Sequence, residues 1–206
     1  MNKLEIKLTF SLDTYHIFAD RLSFGIDKAI CLDYLGDKLL IPATSLKGII
    51  RHNVENVLRS RGIKVCLPPR PDKTCGNCIV CKFFGSPKNK SPLIFEDAIA
   101  NSSSKGEQVS VSIERRRKTA KKDRLFSMEI GFDSTFSAKI RGLLSSRDDA
   151  LLACALVYIG VKSGFALGSG KSRGLGWTSL KEFKATINGL VVPLEDIKNK
   201  IEEVLK

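Results

Sequence analysis

The chain has 206 residues, of which 43% are hydrophobic and 27% charged, and at this size folding buries roughly 70% of the surface an unfolded chain exposes. One domain over residues 1–206, carrying long insertions, is the expectation. The longest apolar run, Leu151 to Val161, is shorter than the roughly 18 residues a spanning helix needs. The first ten residues alternate charged and apolar side chains instead of showing a signal-peptide pattern. A cytoplasmic protein with no membrane contact is expected.

Leu4, Ile6, Leu8 and Phe10 alternate with polar residues, which predicts a strand over 3–10 with one buried face. Residues 11–38 have no sustained period and carry Gly25, Gly36 and several Asp, so they read as a long loop. Leu46, Ile49, Ile50, Val54, Val57 and Leu58 then form a helical stripe over about 45–60, with the Thr44 or Ser45 hydroxyl available as a cap. From Arg61 to Lys90, Pro, Gly and Cys dominate, and no apolar period is long enough to predict an element.

Strand-like segments follow at 93–100, 109–113, 125–132 and 136–140, broken by polar residues at 101–106 and basic ones at 115–124. Ser145 or Ser146 is placed to cap a second helix through Val161, with Asp148 and Asp149 in its first turn. A Gly-rich segment at 164–176, a strand at 177–187, a turn at Gly189 and a terminal helix from about Leu194 complete the chain. This order, β-α-β-β-α-β, predicts an α+β fold with a ferredoxin-like, RNA-recognition-motif-like core. Its decorations are the long early loop, a Cys-rich insertion at 61–92 and a basic β-ribbon at 107–132.

The 34 basic and 22 acidic residues give a net charge of +12, a field that concentrates polyanions. The charge is clustered: Glu114 to Arg124 reads ERRRKTAKKDR, seven basic residues against two acidic ones. A solvated loop tip would be the ordinary reading of a charge run. At this density at the end of a ribbon, phosphate neutralisation with counterion release is the better one.

Cys66, Cys75, Cys78 and Cys81 form C-x8-C-x2-C-x2-C in the one segment whose sequence predicts no hydrophobic core of its own. Four thiolates at this spacing predict a structural zinc ion (Zn2+), in preference to a disulfide or redox role. The short separations leave open that His52 replaces one ligand. Cys31 and Cys154 are isolated and read as small apolar residues.

Gly164 to Gly176 reads GFALGSGKSRGLG and falls short of a nucleotide-binding P-loop, because position 165 is Phe where that pattern requires Gly. A helix also precedes the loop and a strand follows it, the reverse of the P-loop order. The segment can still offer backbone N–H groups beside Lys171, Ser172 and Arg173 to a phosphodiester. The two histidines, His16 and His52, would both be needed for acid–base cleavage of RNA by a His pair. Asp27, Asp33 and Asp37 each read as a turn former, or as a carboxylate that takes a proton from a 2′-hydroxyl or holds a divalent ion.

Two segments together resemble the RAMP superfamily of CRISPR-associated proteins. Ile41-Pro42-Ala43-Thr44-Ser45-Leu46-Lys47-Gly48 is similar to the family's I-P-G-S-S-L-K-G signature, with Ala43 and Thr44 departing from it. Gly168 to Gly176 resembles the Gly-rich loop ending S-R-G-x-G, with Lys171 as an added charge. Within the superfamily the chain is most similar to the repeated backbone subunit of type III effector complexes.

That resemblance implies a homo-oligomeric filament along a CRISPR guide RNA, assembled with other effector-complex subunits in antiviral defence. A ribbon "thumb" would kink the guide, and Arg115, Arg116, Arg117 and Lys118 would belong to it. Lys47, Arg51, Lys171, Ser172 and Arg173 become the other RNA contacts. It further implies that Asp27, fifteen residues before Pro42, cuts the complementary target RNA, directly or through a divalent ion such as Mg2+; Asp33 is the second choice. The alternatives are a noncatalytic scaffold subunit of the same complex and a stand-alone guide-processing nuclease that uses His16 or His52.

Overall fold

The computed structural model describes residues 1–206 except 20, 22, 67–73, 102–103 and 165. The elements are β1 (Asn2–Tyr15), β2 (Leu40–Ile41), α1 (Ala43–Ser60), α2 (Ile79–Phe84), β3 (Leu93–Phe95), β4 (Ala98–Ala100), β5 (Ser104–Ile113), β6 (Ala120–Leu144), α3 (Arg147–Lys162), β7 (Thr178–Ile187), β8 (Leu190–Val191) and α4 (Leu194–Leu205).

The period-2 pattern of the first strand decides how the sheet is covered. Leu4, Ile6, Leu8, Phe10 and Leu12 are fully or almost fully buried, whereas Lys3, Glu5 and Lys7 on the other face are not. β1 pairs antiparallel with β6 on one side and with β7 on the other. The sheet runs β2-β4-β6-β1-β7-β8, with β3 and β5 also alongside β6. Helices α1 and α3 pack against each other, and α3 lies against β1, β6 and β7, so the result is a mixed helix-and-sheet fold with one covered face. Phe10 and Phe136 stack in the core with ring centroids 5.8 Å apart.

Five expectations about elements are corrected. The first strand continues to Tyr15, into the expected loop. The segments expected at 125–132 and 136–140 are one 25-residue strand, β6. Asp133 takes a left-handed backbone, φ 41°, without ending the ladder, because β1 keeps pairing across it at Leu12–Ser134 and Thr14–Phe132. The expected strand at 93–100 is two short strands separated at Glu96 and Asp97. The Cys-rich insertion contains a helix, α2, too short for periodicity to reveal and held by Val80, Phe83 and Phe84 in the core.

The start of α1 is the fifth such difference. Neither Thr44 nor Ser45 caps it; the N-cap is Pro42, and the Ala43 N–H donates 2.7 Å to a carboxylate oxygen of Asp97. A cap from a residue 54 positions away satisfies the same orphan donor as a local one. At α3 the expectation holds, and the Ser146 hydroxyl accepts from the Asp149 N–H at 3.0 Å.

Close approach of α1 and α3 depends on Gly160. A Cβ there would lie 2.7 Å from both the Ile50 carbonyl oxygen and the Ile50 Cγ2. Gly160→Ala is expected to lower stability by about 1–3 kcal/mol through overpacking, read as a lower midpoint in urea with an unchanged slope.

Candidate functional site

The Gly-rich loop is built onto the end of β1. Gly168, Gly170, Gly174 and Gly176 all have φ between 75° and 87°, a region that side chains with a Cβ avoid. At two of them space is closed as well: a Cβ on Gly168 would sit 2.1 Å from the His16 carbonyl oxygen, and one on Gly176 would sit 1.9 Å from that of Leu167. The Ser169 N–H donates to His16 O at 2.9 Å and the Gly176 N–H to Thr14 O at 2.8 Å. The loop is therefore fixed at both ends, and a 3-10 turn at Lys171–Arg173 holds Lys171, Ser172 and Arg173 exposed at its crest. Trp177, next to Gly176, is 59% exposed. Phe165, part of the same expected segment, lies outside the described residues.

Asp27 is exposed, in the loop that leaves β1 and crosses β6. One carboxylate oxygen accepts the Ser127 N–H at 2.7 Å, and the Asp27 N–H donates to the Ser127 hydroxyl at 3.2 Å. The Ser127 hydroxyl in turn donates to Gly25 O at 2.9 Å. Asp33, the second choice, folds its carboxylate onto the Asp37 and Lys38 N–H groups at 2.8 and 3.1 Å. The Lys38 N–H holds this carboxyl below its ordinary range, with smaller help from those of Asp37 and Gly36. Asp33 thus closes its own turn.

The sequence gives no sign of Glu129, which is only 9% exposed. Its carboxylate accepts the Ile30 N–H at 2.9 Å and pairs with the Arg21 guanidinium. Its carbonyl lies 2.6 Å from His16 Nδ1; a carbonyl only accepts, so that nitrogen carries the proton. His16 is fully buried, out of reach of a polymeric substrate. His52 is exposed on α1, 3.0 Å from the Asn56 amide, and is not part of the Cys cluster. The paired-His reading of RNA cleavage therefore has no site.

Through His16 and Glu129, the Gly-rich loop, the Asp27 loop and the base of the β5–β6 ribbon are joined. The ribbon's tip carries Arg115, Arg116, Arg117 and Lys118, all exposed, in a turn closed by the Lys118 N–H on Glu114 O and the Glu114 N–H on Thr119 O. Lys118 occupies the left-handed region, φ 55°. No ion pair engages any of these four side chains among the described residues.

The two α1 residues differ from these. Lys47 is half-buried with its ammonium 5.8 Å from the centre of the Phe95 ring. Burial, and less strongly the charge of Arg51, pulls its pKa below the usual lysine range. Arg51 donates to buried Glu55 at 2.8 Å and to Gly85 O at 3.0 Å, so its guanidinium ties α1 to the end of α2. Arg59 also pairs with Glu55.

Cys66, Cys75, Cys78 and Cys81 converge, with their sulfurs all within 4.8 Å of one another. Separations of 3.1, 3.6 and 3.4 Å from the Cys66 sulfur to the other three are too long for disulfides. A tetrahedral zinc with bonds near 2.3 Å has edges of about 3.8 Å, so the four sulfurs can hold such a metal ion after small adjustment. The Cys75 thiol is lowered to about 6 by hydrogen bonding to Cys66, then by the Cys78 and Asn77 N–H groups, while burial pushes Cys81 up to about 12. Thiolates formed on binding would place four negative sulfurs around the ion.

A search of curated protein sequences finds no match. Among solved structures, the chain is similar to one from the type III-B Cmr-beta, determined by cryo-EM bound to cognate target RNA. The TM-score is 0.64 at 17% identity, covering 89% of this chain and 60% of that one, so this chain spans about three-fifths of that relative's length and shares its fold. The family model of the RAMP superfamily matches residues 22–179. That span contains the Asp27 loop, α1, the Cys cluster, the ribbon and the Gly-rich loop, and the chain belongs to the RAMP superfamily.

Proposed function

We propose that this chain is a cytoplasmic guide-RNA-binding backbone subunit of a CRISPR type III effector complex and that it cuts guide-paired target RNA through Asp27. The observation that carries this reading is the junction of three parts: a fixed cationic Gly-rich loop, the anchored Asp27 loop and the base of a ribbon with an unpaired basic tip. Similarity to a chain solved with target RNA supports RNA and other effector subunits as partners. Among the described residues no helix is long and apolar enough to cross a membrane.

We read the chain as one RAMP domain, with 61–92 as its metal-bearing insertion and 107–132 as its thumb. The core is read as ferredoxin-like: β1 lies between β6 and β7, α1 leads from β1 towards β3 and β4, and α3 leads from β6 to β7. Copies would line the guide as a filament, with Lys171, Ser172, Arg173 and the Gly-rich backbone holding phosphates. Lys47 would add a contact from α1, and Arg51 would position α1 beside it. Pairing of guide and target would carry sequence specificity while the protein reads phosphates and shape.

For cleavage, the 2′-oxygen next to the scissile phosphate attacks phosphorus in line as its proton passes to the Asp27 carboxylate. The 5′-oxygen leaves with a proton from solvent, giving a 2′,3′-cyclic phosphate and a 5′-hydroxyl end. The Ser127 N–H fixes the carboxylate for this role. A divalent ion such as Mg2+ at Asp27 would complete its oxygen shell from RNA and water. The noncatalytic reading, in which Asp27 is a loop residue, has in its favour the same two Asp27–Ser127 hydrogen bonds.

Three outcomes test this reading. In assembled complex, Asp27→Ala should slow target cutting by about 10²–10⁴-fold, the range of a lost general base, with target binding unchanged. Undiminished cutting would leave a scaffold. Replacing Arg115, Arg116, Arg117 and Lys118 together with Ala should weaken RNA binding and flatten its log–log salt dependence by roughly 3, at about 0.7 per lost single-strand phosphate contact. An unchanged slope would remove the thumb. Metal analysis of reduced protein should give one zinc per chain, lost in Cys81→Ser; a clear absence of stoichiometric zinc would overturn the structural-zinc assignment.

A further inference from the structure

We infer that Glu129 is the positioning residue for Asp27, holding the Asp27 loop on the base of the ribbon in the geometry that cleavage requires. This rests on the Asp27 reading above and adds a residue to it. Glu129 meets the loop at four points. Its carbonyl accepts from His16, where the chain leaves β1, and its carboxylate pairs with Arg21 further along. Its N–H donates to Lys28 O at 2.9 Å, directly after Asp27, and its carboxylate accepts the Ile30 N–H at 2.9 Å. The loop is thus gripped before and after the reactive carboxylate by one residue of β6, while Ser127, two positions earlier on that strand, holds Asp27 itself.

A carboxylate this buried is costly unless paired and hydrogen-bonded, and Glu129 is both. Lys105 of β5 stands 4.0 Å from its other oxygen, so both strands of the ribbon reach the grip. Asp27 is therefore registered to the ribbon and not only to the core. RNA seated against the thumb would meet Asp27 at a fixed offset. Glu129 touches no substrate in this scheme; it acts through Asp27 and the loop backbone.

The test compares wild type, Glu129→Ala, Glu129→Gln and Asp27→Ala in guide-loaded complex, measuring target affinity and the cutting rate at saturating target. Glu129→Ala should lower the saturated rate by about a hundredfold, the loss expected from a displacement near 1 Å, with target affinity unchanged. Glu129→Gln keeps an oxygen for the Ile30 N–H but loses the charge facing Arg21, and it should fall between alanine and wild type. Rescue in that order, on the rate and not on affinity, separates positioning from general loss of structure. If Glu129→Ala fails to assemble, Glu129→Gln decides by the same rate measurement. Wild-type rates in the Glu129 variants while Asp27→Ala is inactive, or slowing explained wholly by weaker target binding, would overturn the inference. Full cutting by Asp27→Ala would instead overturn the Asp27 reading itself.

Discussion

One strand belongs to two structures at once. From Gly131 to Leu144, β6 is hydrogen-bonded along β1 in the sheet, and from Leu125 to Phe132 it pairs with β5 in the ribbon, with one further pair at Ala120 beyond a register shift. The ladder passes directly from one partner to the other, so the regularly paired part of the ribbon projects about 20 Å past the end of β1 on the strength of pairing inside the core. The handover is packed tightly: a Cβ on Gly131 would fall 2.4 Å from the Tyr15 ring. The Tyr15 hydroxyl donates to Ser134 at 2.9 Å, and burial pushes its pKa up to about 12. The direction of the ribbon is a consequence of core packing.

The polar cluster at the same place follows from that constraint. Where β1 ends, β6 loses a neighbour on one edge, and its exposed backbone groups need partners. The loop from His16 to Ile30 supplies them, through Lys28 on Ser127 and Glu129, and Glu129 returns the favour with its side chain. Among the described residues of this loop the buried apolar ones are Ile17, Ala29 and Ile30. Its position therefore depends on directional hydrogen bonds more than on area. Such bonds are directional, which burial of apolar area is not.

What could be read from the sequence was whatever repeats locally. The alternation in β1, the apolar stripe of α1, the Ser146 cap and the Cys cluster each lie within one short stretch of chain, and each is present as expected. What could not be read depends on distant partners. Asp133 and Ser134 look like a strand break until β1 is alongside. Asp97 cannot be recognised as the partner of Ala43, nor Glu129 as that of Ile30, when 54 and 99 residues separate them. Arg51 looks like a free cation beside Lys47 until Glu55 and Gly85 are found on its guanidinium. A residue type shows what a side chain can do, and its neighbours decide what remains for it to do.

The same distinction explains why net charge alone identifies no site. Arg21, Arg51, Arg59, Lys82 and Lys200 are each engaged by carboxylates within the protein. They add to the total of basic residues without offering a free charge. The ribbon tip is different, because the stretch from Glu114 to Arg124 holds seven basic residues against two acidic ones, Glu114 and Asp123. None of the seven takes part in an ion pair among the described residues. Like charges crowded at a hairpin tip repel one another, and in the free protein they are held together by the Ile113–Ala120 pair and by the regular ladder that begins at Leu125. A polyanion removes that repulsion and releases its own counterions at once. Charges already gathered by that pairing lose less freedom on meeting a polyanion than charges on an unpaired segment would.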